Sequence, residues 1–208
     1  QLGFHILSEI VEEGQKKMET VLVAAKRDLV EAKLRVLEEA GLTAAIVDVD
    51  SFALHNAFER SHPEAMTGVV ALVNIGHEST NINIVEDGVP VLTRDLNVGT
   101  RRLREDLQRD LGLSAEEAKA VLDAPDRSTA LDTVLVARGE EIAVGIERAA
   151  AFLASASHSQ VQVSSVYVCG GGARTPGMLD TMGARLRVPI VLATPLANLT
   201  AREGAFES

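Results

Sequence analysis

Two stretches of the chain carry residue types that could do chemistry. In Ile75-Gly76-His77-Glu78-Ser79-Thr80, a glycine and two hydroxyl residues follow the apolar run Val69 to Asn74. Backbone N–H groups released from strand pairing there, together with the Ser79 and Thr80 hydroxyls, could face an anion such as phosphate. In Gly170-Gly171-Gly172, three consecutive residues lack a Cβ. A flat ring or a phosphate could therefore lie directly against backbone. Each stretch alone is equally what a plain tight connection looks like.

The other reactive side chains are less suggestive. His5, His55, His62, His77 and His158 are dispersed and show no ligand spacing with Cys169, so a zinc site is not expected. Cys169 ends an apolar run and reads as a small hydrophobe. Ser155, Ser157, Ser159, Ser164 and Ser165 lack a glycine-framed elbow. Arg101, Arg102 and Arg104 could meet phosphates or an acidic partner, or form a solvated helix face.

The elements that would position the two turns follow from periodicity. Val69 to Asn74 predicts a buried strand, the alternation from Thr80 a half-buried one, and Val89 to Asp95 a third, with Asp87-Gly88 reversing the chain between the last two. Gly99-Thr100 then opens a helix with Leu103, Leu107 and Leu111 on one stripe and Thr100 as N-cap. Ser114 to Glu117 reads as a capping box for the next helix. Thr129 to about Ala156 reads as a long helix that Gly139 and Gly145 weaken. Val166 to Cys169 predicts a buried strand, and Thr175-Pro176 the start of a helix bearing Leu179, Met182 and Leu186. Val188 to Leu192 reads as a last strand. Earlier in the chain, Gln1 to Glu13 holds strand pattern. Val21 to Val23 reads as a short buried strand, Lys26 to Ala40 as a helix ended by Gly41, and Ala44 to Val49 as a further strand. Asp50 or Ser51 would cap a helix running to His62-Pro63. Strands alternating with helices around one antiparallel meander predict an α/β fold with mixed sheets.

At 208 residues the chain can bury a core, and with 46% hydrophobic but only 3% aromatic residues that core must be aliphatic. A net charge of −10 without a basic, aromatic-laced patch argues against nucleic acid and against direct lipid binding. The single cysteine fits a reducing compartment, and no apolar run has transmembrane length, so a cytoplasmic protein without a membrane span is expected.

The order of the two turns, a strand, loop and hairpin in the middle and a strand-Gly-Gly-Gly helix start near the end, resembles the actin-like ATPase superfamily with its ribonuclease H-like fold. Within it the chain is similar to the PilM family of type IV pilus assembly proteins, which are related to the division protein FtsA. The likeness rests on Val21-Leu-Val-Ala-Ala-Lys26, Ala40-Gly41-Leu42, Val47-Asp-Val-Asp-Ser-Phe-Ala-Leu54, Asn81-Ile-Asn-Ile84, Leu92-Thr-Arg-Asp95, Leu113-Ser-Ala-Glu-Glu-Ala118 and Val166-Tyr-Val-Cys-Gly-Gly-Gly172. It implies a second phosphate loop at Asn74, Gly76, His77, Glu78, Ser79 and Thr80, with Gly99 behind it. It implies an adenosine loop at Gly170, Gly171 and Gly172. On the intervening helix, one register puts Lys119 and Leu122 at the ribose, and a shifted one puts Glu116 and Lys119 there. The ligand implied is ATP or ADP with Mg.

The resemblance further implies a cytoplasmic scaffold that forms rings or filaments and is recruited to the inner membrane by the N-terminal tail of PilN. That tail would dock in a groove between the first lobe and its inserted subdomain, to which residues 1–49 largely correspond, leaving 50–208 as the actin-like core. No Asp-x-Gly first phosphate loop precedes Val69, so the expected fold is incomplete at the N-terminus and ATP binding by this polypeptide poor. Asn74 stands where the superfamily usually has Asp, and an amide cannot act as a base. Thr100 replaces a second glycine. Binding or structural use of the cleft is therefore expected rather than turnover. The alternatives are an active ATP-hydrolysing or sugar-kinase-type enzyme of the superfamily, or an FtsA-like division scaffold.

Overall fold

The computed structural model describes residues 2–12, 14–157 and 162–198. It divides into two compact units, Gln1–Asp48 and Val49–Ser208. His158, Ser159 and the end of the tail from residue 199 lie outside the described residues.

The first unit is an antiparallel hairpin, β1 (Leu2–Glu12) and β2 (Gln15–Ala24), followed by helix α1 (Arg27–Glu39). The run Val21 to Val23 is thus the end of a ten-residue strand, not a short buried one, and Leu22 is exposed. Leu7 falls where the register slips, a bulge in β1. No residue of α1 is buried. Residues 44–49 form no strand. A ladder needs a partner, and here Ile46 is 84% and Val47 61% exposed.

The second unit opens with α2 (Asp50–Ser61), whose N-cap is Val49 with no side-chain cap, so neither Asp50 nor Ser51 plays that part. A five-stranded sheet follows, in the order β5 (Val89–Leu96), β4 (Thr80–Glu86), β3 (Val69–Ile75), β6 (Ser165–Cys169), β7 (Ile190–Leu192). The first three strands form the expected antiparallel meander, while β6 and β7 run parallel to β3 and to each other. Asp87 and Gly88 both take positive φ, 46° and 80°, as a two-residue hairpin turn requires.

Alternation along β3 sorts its side chains. Ala71, Val73 and Ile75 join the main core with α3 (Thr100–Leu111), α4 (Ala115–Asp123), α5 (Thr129–Ser157) and α6 (Met178–Leu186), and Val70 and Leu72 join a smaller cluster with Phe58 of α2. The main core is wholly aliphatic, as composition demands. The capping box is formed, with Ser114 Oγ accepting from Glu117 N–H and the Glu117 carboxylate accepting from Ser114 N–H. That carboxylate is held below its usual range by the Ser114 backbone and side-chain hydrogen bonds.

Three expectations about helix ends and breaks change. Gly99, not Thr100, is the N-cap of α3. After β6 the chain makes a 3-10 turn (Gly171–Arg174) and α6 begins only at Met178, capped by Gly177, so Thr175-Pro176 precedes the helix. Helix α5 is unbroken. Its glycines are notches: a Cβ on Gly139 would meet Thr181 Cγ2 at 2.6 Å, and one on Gly145 would meet Leu96 Cδ1 at 2.4 Å. Close packing explains both. No helix among the described residues is long and apolar enough to cross a membrane.

Candidate functional site

Because β3 and β6 are parallel neighbours in the register Asn74 to Cys169, the connections leaving their C-terminal ends lie side by side. The Gly76 loop and the Gly170 turn, 94 positions apart in the chain, therefore meet. Gly170 takes φ 87°, and a Cβ there would stand 2.4 Å from Asn74 Oδ1 and 2.5 Å from the Ile75 carbonyl oxygen. Gly172 lies on Ile75 as closely, with Cγ2 2.3 Å from the Cβ it lacks. Gly171, between them, faces open space. The outer two glycines make room for the end of β3, and the middle one does not.

The loop on the other side is closed by directed bonds. Gly76 N–H donates to Ser79 O at 3.0 Å, Thr100 N–H to Gly76 O at 3.0 Å and Arg101 N–H to His77 O at 2.9 Å. His77 Nδ1 and the Thr100 hydroxyl share a hydrogen bond of 3.1 Å. The N–H groups of His77, Glu78 and Ser79 make no backbone hydrogen bond among the described residues, and of the three only His77 lines the cleft, where its N–H could serve an anion.

Between loop, turn and α4 lies a cleft of about 590 Å³. Four of the expected residues, Gly76, His77, Lys119 and Gly171, line it. Asn74, Gly99, Gly170 and Gly172 act behind it, by hydrogen bonding or close packing. Glu78 and Ser79 do not line the cleft, and Glu78 is ion-paired with Arg101 at 2.6 Å. Thr80 requires a correction: it is fully buried, and its hydroxyl donates to Val98 O at 2.7 Å, so it cannot face an anion. Glu116 is exposed away from the cleft, whereas Leu122, one helical turn after Lys119, lines it. The register with Lys119 and Leu122 is the one that faces the cleft. Sequence reading missed Asp123, Arg174, Thr175 and Pro176 as lining residues, and it left Arg104 ambiguous.

Asn74 belongs to a polar row across the sheet. Its Nδ2 donates to Asn81 Oδ1 at 3.3 Å, Asn81 Nδ2 donates to Asp95 Oδ1 at 2.6 Å, and the Cys169 thiol donates to Asn74 Oδ1 at 3.9 Å. The row needs a donor at position 74, which a carboxylate would not supply. Burial pushes the Cys169 thiol up to about 11, so it stays a protonated donor and not a nucleophile. The arrangement can bind an anion against bare backbone and cations. Among the residues lining the cleft the single carboxylate is Asp123, which is tied to Lys119.

Comparison with known proteins agrees with this geometry. The model of the family described as type IV pilus assembly protein PilM matches residues 1–207. A chain of a solved PilM-PilN type IV pilus biogenesis complex aligns with 100% of this chain at a TM-score of 0.79 and 26% identity, and 60% of that chain is covered. An archaeal actin homolog, Ta0583, aligns with 74% of this chain at a TM-score of 0.55 and 16% identity, with 51% of it covered. MreB5 of Spiroplasma citri bound to AMPPNP aligns with 80% at a TM-score of 0.60 and 15% identity, with 60% covered. The chain thus spans between about half and three fifths of the length of these structures. Its fold is that of the actin-like ATPases. The chain belongs to the PilM family of type IV pilus assembly proteins.

Proposed function

We propose that the chain is a scaffold of the type IV pilus machinery that holds a partner's tail while its cleft binds ATP or ADP without turning it over. The observation that carries the reading is a cleft furnished for an anion but without a free carboxylate, its one imidazole, His77, being hydrogen-bonded to the Thr100 hydroxyl. Position 74 is an amide committed as a donor to Asn81, and Asp123 is committed to Lys119. Nucleotide as the anion is supported by the likeness to MreB5 bound to AMPPNP, in which the same fold carries such a ligand.

The partner is the N-terminal tail of an inner-membrane protein of the PilN kind, which would bring a cytoplasmic scaffold to the membrane face. Family membership and the likeness to a chain solved as a PilM-PilN complex support it. So does the apolar surface of the first unit, where Phe4 is 72% and Val11 73% exposed, with Leu22, Leu29 and Val36 also open. Residues 1–49 then act as the inserted, partner-binding subdomain and 50–208 as the nucleotide-binding core. Self-association into rings or filaments completes the scaffold role.

A synthetic PilN N-terminal peptide on beads tests the reading. The full-length protein is captured, and Leu22→Glu with Val36→Glu abolishes capture while the melting temperature holds. Absent capture of the unaltered protein would overturn the partner assignment. The enzymatic rival is tested separately by phosphate release: the unaltered protein stays at background, a clear rise there would reinstate turnover, and a rise confined to Asn74→Asp would mark the amide at position 74 as what withholds it.

A further inference from the structure

Helix α3 carries four arginines, Arg101, Arg102, Arg104 and Arg109. Three have carboxylate partners: Arg101 pairs with Glu78 and Glu105, Arg102 with Glu105, and Arg109 with Asp106 and Asp110. Arg104 has no ion pair or side-chain hydrogen bond among the described residues, is half-buried, and lines the cleft beside His77 and Thr100. Arg174, from the turn after β6, lines the same cleft and is likewise without a partner among the described residues. A chain of net charge −10 has carboxylates to spare for such groups. The half-buried Arg104 guanidinium, without counter-charge next to bare backbone, is a group whose charge a ligand would meet, and the exposed Arg174 lies on the same cleft. Guanidinium forks match phosphate oxygens in pairs.

The magnesium that the actin-like resemblance implies fits the walls this chain supplies badly. A hard divalent cation wants several oxygen donors, carboxylates among them. The cleft lining offers one carboxylate, Asp123, already paired with Lys119, and the strand end offers the Asn74 amide. No cluster of three His, Cys, Asp or Glu side chains suited to a metal occurs among the described residues. Arg104 and Arg174 would repel a dication placed near them.

We propose that Arg104 and Arg174 neutralise the phosphates of the bound nucleotide in place of a divalent metal, so that ADP and ATP bind this cleft as free polyanions. The inference rests on the nucleotide reading above and names how that same site recognises its ligand. It also divides the arginines of α3, since three of them hold the helix surface together and one reads the ligand.

Isothermal titration of ADP and ATP into the full-length protein, in magnesium and in EDTA, tests it. The two affinities agree within about threefold, and Arg104→Ala weakens binding in EDTA by about tenfold, which corresponds to roughly 1.4 kcal/mol. Arg104→Lys recovers part of that loss, and Arg174→Ala repeats it from the other wall. Arg104 makes no ion pair or side-chain hydrogen bond among the described residues, so the thermal unfolding curve of each variant overlays the parent's. Binding seen only with magnesium overturns the proposal and leaves the nucleotide reading standing. So does an EDTA affinity indifferent to both arginines. Binding in neither buffer overturns both.

Discussion

The two walls of the cleft reach a similar shape by different means. On the first, the Gly76 loop is tied down by its bond to the Ser79 carbonyl, by bonds from the Thr100 and Arg101 N–H groups and by the buried Thr80 hydroxyl behind it. On the second, the Gly170 turn is laid onto β3 by contact alone, with Gly170 against Asn74 and the Ile75 carbonyl and Gly172 against the Ile75 side chain. Both walls lean on α5, again unequally. Helix α3 is fastened to it by Arg138 with Asp106, whose side chain is 5% exposed, whereas α6 is fastened by Arg185 with Glu147 at the surface. A wall made of bonds can lose one and keep its path. A wall made by close approach cannot accept an atom.

Gly170→Ala should therefore have the largest effect. Its φ of 87° disfavours any side chain, and the new methyl would meet a backbone oxygen at 2.5 Å that cannot move without displacing β3. A loss of about 3–5 kcal/mol in urea unfolding is expected. A loss under about 1 kcal/mol would show the second wall to be as adjustable as the first, ending the contrast.

Next in size is the fastening of α3. Burial alone would raise the Asp106 carboxyl, but the hydrogen bonds and charge of Arg138, then those of Arg109, outweigh it and hold the group below its usual range. Arg138→Leu leaves the buried carboxylate with Arg109 only, at a cost of about 3 kcal/mol. The sign of the pH dependence follows from a depressed folded-state value. The contribution is complete above the unfolded range near about 4 and is lost as pH falls through the folded value. Acid titration of stability should show this loss in the parent protein and a smaller one in Arg138→Leu. Equal acid slopes would make the pair a bystander to the first wall.

What the sequence disclosed of this arrangement was mostly local. Asp87-Gly88 and the Ser114 capping box are signals contained within a few residues, and each appears in the structure, whereas β4 forms where its alternation puts it but is buried on both faces, Asn83 and Val85 included, and is not the half-buried strand expected. Residues 44–49 have strand composition but no ladder, because pairing is decided by what lies alongside and not by the run itself. The convergence of the two turns followed from the likeness to a known fold; the physical cause, a parallel β3 and β6, is a non-local fact. Arg101, Arg102 and Arg104 are indistinguishable as text, and only packing assigns the third to the cleft. The choice between Glu116 and Leu122 alongside Lys119 needed the rotation of α4, which its capping box starts but does not aim.

A smaller effect probes the first wall from behind. Thr80→Val keeps the shape of the side chain and removes the bond to Val98 O, leaving a buried acceptor short of its partner. A loss of about 1–2 kcal/mol is expected. If the first wall is a set of separable bonds, the nucleotide affinity of this variant stays within about twofold of the parent, measured by the same titration. A collapse of binding would mean that the loop, like the turn, has only one way to sit.

Gly171→Ala should have the smallest effect on folding and gives the sharpest form of the contrast. Nothing lies within 4 Å of the Cβ it would gain, so its removal of backbone freedom and its new methyl should leave stability within about 0.5 kcal/mol. Yet Gly171 is the member of the triplet that lines the cleft. Its neighbours are glycine because protein atoms occupy the space, and Gly171, on the present reading, because a ligand does. The two explanations separate cleanly in one variant. A ligand lying on bare backbone loses its seat when a methyl is added, so nucleotide affinity falls several-fold while the urea midpoint does not move. If both stay unchanged, the middle glycine answers to no ligand and the second wall is only a tight turn.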